Sequence, residues 1–183
     1  MYTDMDTRAR VAIVADTHGK LDQRVANEVA RCDYVVHAGD VGCLNVLRHL
    51  SPLRQRRVVV RGNNDVCSKW PDSEASVLEA LPLHAELELP GGLVTVVHGD
   101  RCGPANHRHR WLRARYPESR VVVYGHSHRL EVDTSSRPWV LNPGAAGVSR
   151  TFGGPSLIII SASKERWRAR ALRFPLPGQA AFR

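Results

Sequence analysis

The sequence predicts an α/β fold, on three observations. Short Val/Ile-rich runs recur along the chain, segments with helical spacing separate them, and the runs end at polar residues beside glycine. Near-continuous apolar runs of this kind mark strands covered on both faces. The first, "RVAIVAD", ends at Asp16 and is followed by the helix-like "KLDQRVANEVARC". "YVVHAGD" ends at Asp40 and precedes a second helical segment, "LNVLRHL". "RVVVRGNND" ends near Asn63. "AELELP" and "LVTVVHG" flank Pro90-Gly91-Gly92, a hairpin turn, and the second of them runs into His98. A third helical segment, "NHRHRWLRARY", leads to "VVVYGHSH", which carries His126 and His128. "RLEVDT", "RPWVLN", "SLIIISA" and "RWRARALRF" complete a strand-rich second half. In the last of these, Arg166, Arg168 and Arg170 alternate with Trp167, Ala169 and Ala171, so one face is basic. A solvated outer strand explains that face, with a phosphate-binding patch as the sharper alternative.

The chain has 183 residues, 43% of them apolar, enough for a substantial core, and residues 1–183 are expected to form one domain. No apolar run approaches the roughly 18 residues that would span a bilayer. The N-terminal "MYTDMDTRAR" lacks the basic-then-apolar order of a signal peptide. Cys32, Cys43, Cys67 and Cys102 form no CxxC pair, which fits reduced thiols and a cytoplasmic location. The 26 Lys and Arg residues against 18 Asp and Glu give a net charge of +8. Such a field favours anionic substrates, although a solvated surface of biased composition would look the same.

Five of the strands end at residues able to bind a metal: Asp16 and His18, Asp40, Asn63, His98, then His126 and His128. In open α/β sheets, ligands gather beyond the carboxyl ends of strands, so these seven are expected to meet in one site. They form an oxygen and nitrogen set without thiolate, suited to Mn²⁺, Fe or Zn²⁺. Seven ligands exceed the needs of one tetrahedral ion. They suit two ions about 3.5–4 Å apart that share a carboxylate. Gly19, Gly39, Gly62, Gly99 and Gly125 lie beside these ligands, as tight turns or close backbone approach would require. His37, His49, His84, His107 and His109 have no such context and are expected at surface or structural positions.

In these blocks the sequence resembles the calcineurin-like metallophosphoesterases, in particular their small single-domain phosphodiesterase branch. The blocks are Asp16-Thr17-His18-Gly19, Gly39-Asp40, Gly62-Asn63-Asn64-Asp65, His98-Gly99 and Gly125-His126-Ser127-His128, with "LNPGAAGVSR" from Leu141 as a further loop. The resemblance implies two packed mixed β-sheets flanked by helices. It also implies a small phosphate-ester substrate and two divalent metal ions, manganese first, with iron, zinc or nickel as alternatives. Asp16, His18, Asp40 and His128 would hold one ion. Asp40, Asn63, His98 and His126 would hold the other, with Asp40 as the bridge. The two ions would lower the pKa of a shared water, and the resulting hydroxide would attack phosphorus in line.

The sequence departs from that family at Asn64, where the family has His, or Cys in the small branch. An amide donates a hydrogen bond but gives up no proton at ordinary pH, so substrates with good leaving groups are favoured. Asp65 is expected to orient a neighbouring ligand from behind. Three rival readings compete with this one. A protein-interaction scaffold of the same fold, like the retromer subunit, is opposed by the complete ligand set. A nucleic-acid binder would use the arginines but leaves the seven ligands without a purpose, although nucleic acid stays open as a substrate. A metallo-β-lactamase-type hydrolase needs Asp and His after His-x-His, whereas Arg129-Leu130-Glu131 follow here. Assembly as a homo-oligomer stays open.

Overall fold

The computed structural model of the protein describes residues 7–176. The outermost parts of the expected 1–183 domain, and most of the segment read for a targeting signal, lie outside the described residues. Among the described residues, ten strands and four α-helices run in the order β1 (Arg8–Val14), α1 (Gln23–Val29), β2 (Tyr34–His37), α2 (Leu44–His49), β3 (Arg56–Val59), α3 (Ala75–Ala80), β4 (His84–Leu89), β5 (Gly92–Val97), α4 (Arg108–Arg115), β6 (Val121–Val123), β7 (Leu130–Asp133), β8 (Trp139–Pro143), β9 (Ser156–Ser163) and β10 (Trp167–Arg173). Helix α3, in "ASVLEA", and the short 3₁₀ turns at Cys67–Lys69, Asp72–Glu74 and Ala105–His107 carry no sequence signal strong enough to have been expected.

Two five-stranded mixed sheets face each other. The first has the order β10-β9-β1-β2-β3 and the second β4-β5-β6-β8-β7. Side-chain alternation assigns each strand to two cores. Val11 and Ile13 of β1, Ile158 and Ile160 of β9, Val121 and Val123 of β6 and Leu141 of β8 fill the space between the sheets. The intervening Ala12, Val14, Leu157 and Ile159 turn outward against Val25 and Val29 of α1, Val46 and Leu47 of α2 and Leu78 of α3. On the other side, Val122 and Val140 pack against Leu112 of α4. The layers are therefore helix, sheet, sheet, helix, and burial on both faces is why these strands read as unbroken apolar runs.

β1, β2 and β3 are parallel, as are β5, β6 and β8. The segments that follow β1, β2, β3, β5 and β6 carry the seven candidate ligands. β4 and β5 form the expected hairpin, with Leu89 opposite Gly92 across Pro90-Gly91. β10 pairs only with β9, an outer position, and Arg168 and Arg170 are exposed there while Trp167 is buried. Leu141 is fully buried between the sheets. Its truncation, Leu141→Ala, is expected to cost about 2–5 kcal/mol. Denaturant unfolding measures that loss, and a cost near zero would mean that the intersheet core does not hold the sheets together.

Candidate metal centre

Each candidate ligand sits on a loop just past its strand, and the loops are tightly coiled. Asp16 (φ 53°), His18 (φ 46°), Asp40 (φ 57°), His126 (φ 67°) and His128 (φ 57°) all adopt left-handed backbone. Asp, Asn and His enter that region more readily than most residues, but each such position still costs roughly 1–3 kcal/mol. The convergence of His126 and His128 follows from this geometry. An extended segment would also turn residues two apart to one side, but residues 126–129 are not in a strand. Two left-handed residues flanking Ser127 bring the rings round instead.

Asp16, His18, Asp40 and His128 form one group. One ligand atom from each can be chosen so that all lie within 4.8 Å of one another, an arrangement able to hold a metal ion. His18 Nε2 faces His128 Nε2 at 3.2 Å, and His128 Nε2 is 3.6 Å from Asp16 Oδ1. His128 Nδ1–H donates to the Arg150 carbonyl at 2.9 Å, which leaves Nε2 as a lone pair aimed into the group. Burial lowers the pKa of His18 to about 4 and also lowers that of His128, so both rings are neutral near pH 7. Asp16 Oδ2 is buried without a hydrogen-bond partner among the described residues. An orphaned carboxylate oxygen beside the His128 lone pair and the His18 imidazole is a donor set that fits a divalent cation.

Asn63, His98 and His126 form a second group. Asn63 Oδ1 lies 3.0 Å from His98 Nε2 and 3.0 Å from His126 Nδ1. His98 Nδ1–H donates to the Ala38 carbonyl at 2.8 Å and directs Nε2 inward. Asp40 stands between the groups, with Oδ2 3.7 Å from His18 Nε2 and Oδ1 3.4 Å from His98 Nε2. Burial alone would raise Asp40 and lower His98, but their mutual attraction outweighs it. Asp40 is held below the ordinary carboxylate range, and His98 is raised to about 9. A proton on His98 Nε2 therefore occupies a place where the surrounding oxygens favour positive charge. All seven predicted residues thus meet in one cleft.

The loops are held from behind by residues with no ligand role. Asp65 is fully buried, and its carboxylate accepts from the backbone N–H of Val41, Gly42 and Gly62 and from the Trp70 indole, at 2.9–3.1 Å. Apart from the Trp70 indole, its carboxylate meets backbone N–H groups around Asp40, and among the described residues no hydrogen bond joins it to a ligand side chain. Gly62 is pressed against Asp40, since a Cβ there would lie 2.2 Å from Asp40 Oδ1. Asn64 donates its backbone N–H to Asp40 Oδ1 at 2.8 Å and its side-chain amide to Oδ2 at 2.7 Å. The fully buried Asn142 donates to the Gly125 carbonyl at 2.8 Å and to Ser127 Oγ at 2.9 Å, tying the end of β8 to the histidine loop. His37 is fully buried beneath the first loop and hydrogen-bonds Thr17 Oγ1 at 2.9 Å, and Thr17 Oγ1 donates to the Val41 carbonyl. His109 bridges Asp133 and Tyr124 away from the seven, at 2.9 and 3.0 Å.

Two cations at the cleft escape a sequence search for ligands. Lys69 donates from Nζ to Asn64 Oδ1. The Arg150 guanidinium packs on His18, with Nη2 2.5 Å from Nε2 and 3.0 Å from Nδ1. Lys69 ends a 3₁₀ turn and Arg150 lies within the loop between β8 and β9, and neither has a spacing that marks it.

Burial, reinforced by the Asp40 charge and opposed by that of His98, raises Asp16 to about 7. A raised carboxylate keeps its proton in the folded chain after the unfolded chain has lost its own. In the metal-free protein it therefore costs stability progressively from about pH 4 to about pH 7, and the cost is constant above that. Asp16→Asn removes the cost. The variant should match the wild type near pH 4 and exceed it by pH 8, as read by denaturant unfolding in chelator. A gap that does not widen with pH would contradict a carboxyl pKa near 7.

The comparisons with known proteins agree with this geometry. The sequence model described as "Calcineurin-like phosphoesterase superfamily domain" matches residues 10–165. A probable metallophosphoesterase of Methanocaldococcus jannaschii is 28% identical over 146 residues, covering 76% of this chain and 69% of that protein. Among solved structures, a single mutant of Vps29 from Entamoeba histolytica superposes with a TM-score of 0.70 at 17% identity, covering 90% of this chain and 99% of that one. A structure titled as a novel archaeal phosphodiesterase gives 0.63 at 23% identity, covering 89% and 99%. The two structural likenesses speak for the fold, and the sequence match speaks for the family. The chain belongs to the calcineurin-like phosphoesterase superfamily.

Proposed function

We propose that residues 1–183 act as a single-domain phosphodiesterase dependent on two divalent metal ions. The observation that carries this reading is the place of Asp40, whose two oxygens face His18 and His98 from between two ligand groups. Asp16, His18, His128 and Asp40 would hold one ion, and Asp40, Asn63, His98 and His126 the other. Bound there, the ions supply positive charge for the phosphoryl oxygens and a water acidified to near neutrality. The chain supplies placement. Left-handed turns aim the imidazoles, the Ala38 and Arg150 carbonyls fix the tautomers of His98 and His128, and Asp65 holds the loops that carry Asp40. Asn64 spends its amide hydrogen on Asp40 and has no acidic proton for a departing alkoxide, which favours esters whose leaving groups are already acidic. Manganese suits the oxygen and nitrogen set.

The archaeal phosphodiesterase supports a diester substrate by likeness of fold. The Vps29 likeness supports the rival, a scaffold that works through protein contacts. The rival gives no reason for seven potential ligands to meet, so hydrolysis is preferred. The protein should lose activity toward bis(p-nitrophenyl) phosphate in chelator and regain it with Mn²⁺, with slower turnover of the monoester. Full activity in verified metal-free protein would refute the proposal.

The two histidines of "GHSH" should fail differently. His128→Ala should deplete the ion beside Asp16 and His18, and His126→Ala the ion beside Asn63 and His98. Anomalous diffraction from Mn²⁺-soaked crystals of each variant reads this out. Loss of the same ion in both would show that the histidines do not divide between sites.

A further inference from the structure

Beside the first ligand group the cleft continues into a cavity of about 250 Å³, lined by His18, Gly42, Asn64, Asp65, Lys69 and Arg150. Its charged side chains facing solvent are Lys69 and Arg150, both exposed, since Asp65 is fully buried and committed to four donors. Among the described residues no carboxylate forms an ion pair with either cation. Lys69 rests on an amide oxygen and Arg150 on the His18 imidazole.

Arg150 is also held there by its backbone. Its φ is 54°, and its carbonyl accepts the Nδ1–H of His128, so the hydrogen bond that fixes that histidine also fixes the root of the guanidinium. The same loop is anchored upstream, where Gly147 bridges to Leu21. Lys69 is fixed by the 3₁₀ turn at Cys67–Lys69, and the next residue, Trp70, is buried and donates to Asp65. Two cations lining one concavity repel each other, an effect that water screens because both are exposed. Asp16 and Asp40 are the only carboxylates among the seven ligands, so the cleft as a whole is short of negative charge. An occupant with several anionic oxygens would relieve both.

We infer that Lys69 and Arg150 form a subsite for a second phosphate group of the substrate, beside the phosphorus that reacts. The inference rests on the phosphoesterase reading and narrows it to phosphate esters bearing another phosphate, linked directly or across a short spacer. Arg150 supplies a planar fork for two oxygens, and Lys69 a mobile point charge. Asn64, which accepts from Lys69 and donates to Asp40, ties the subsite to the metal cleft.

Titration calorimetry of Mn²⁺-loaded protein with AMP, ADP and adenosine 3′,5′-bisphosphate tests this, because the three share base and sugar and differ in the second phosphate. ADP places it one anhydride link away, and the bisphosphate places it across the ribose. At least one of the two should bind roughly tenfold more tightly than AMP, the scale of added charge-assisted hydrogen bonds. Lys69→Gln and Arg150→Gln should each remove most of that advantage, and Lys69→Arg should keep it. Equal affinity for all three nucleotides in the wild type would overturn the inference, as would an advantage that survives both neutral substitutions. Aryl diesters carry no second phosphate, so wild-type hydrolysis of bis(p-nitrophenyl) phosphate judges the phosphoesterase reading separately.

Discussion

The Asp40 carboxylate, buried between two sets of imidazoles, is the constraint around which the rest of the cleft is arranged. A buried charge is tolerated only when paired and hydrogen-bonded. Asp40 meets that demand with His98 at 3.4 Å and with two donors from Asn64. It also needs room, and Gly62 provides it, because any side chain there would strike the carboxylate. The loop bearing Asp40 is in turn fixed by Asp65, whose carboxylate takes the backbone N–H groups of Val41, Gly42 and Gly62. Loops after β2 and β3 are thus clamped by one acid so that another can face two ways.

Five left-handed residues in one site represent stored backbone strain, and the fold around them has to offset it. The intersheet core fixes the strand ends from which the loops depart. Polar clamps then hold the loops themselves: Asn142 on the histidine loop, the His37–Thr17 pair under the first loop, and Asp65 under the second and third. Substrate and metal chemistry would require rigid donors at set distances, and a loop free to relax into ordinary backbone could not supply them.

The electrostatics of the cleft are divided along the same line. Near His98 the surrounding oxygens draw in a proton and hold it. Near Asp16 burial does the reverse and keeps a carboxyl protonated to about pH 7. Both arrangements place a proton where a cation would compete with it, so affinity for metal should rise as those protons leave.

The layered α/β plan is legible in the sequence, as is the set of seven residues that the structure brings together. Strands buried on both faces must be apolar throughout, so a polar residue at the end of each run stood out against Val and Ile. Repetition of that signal at five strand ends identified the cleft before any contact was known. The support of the site has no such local signal and depends on the packed fold. Asp65 holds backbone, Asn142 reaches across from the end of β8, and His126 and His128 converge through left-handed turns outside any strand. Lys69 and Arg150 likewise meet from segments 81 positions apart in the numbering, with nothing local to mark either. Hydrophobic periodicity reports burial along a single segment. The partners of a polar atom are set by which loops the two packed sheets bring to the same edge, and no single segment contains that information.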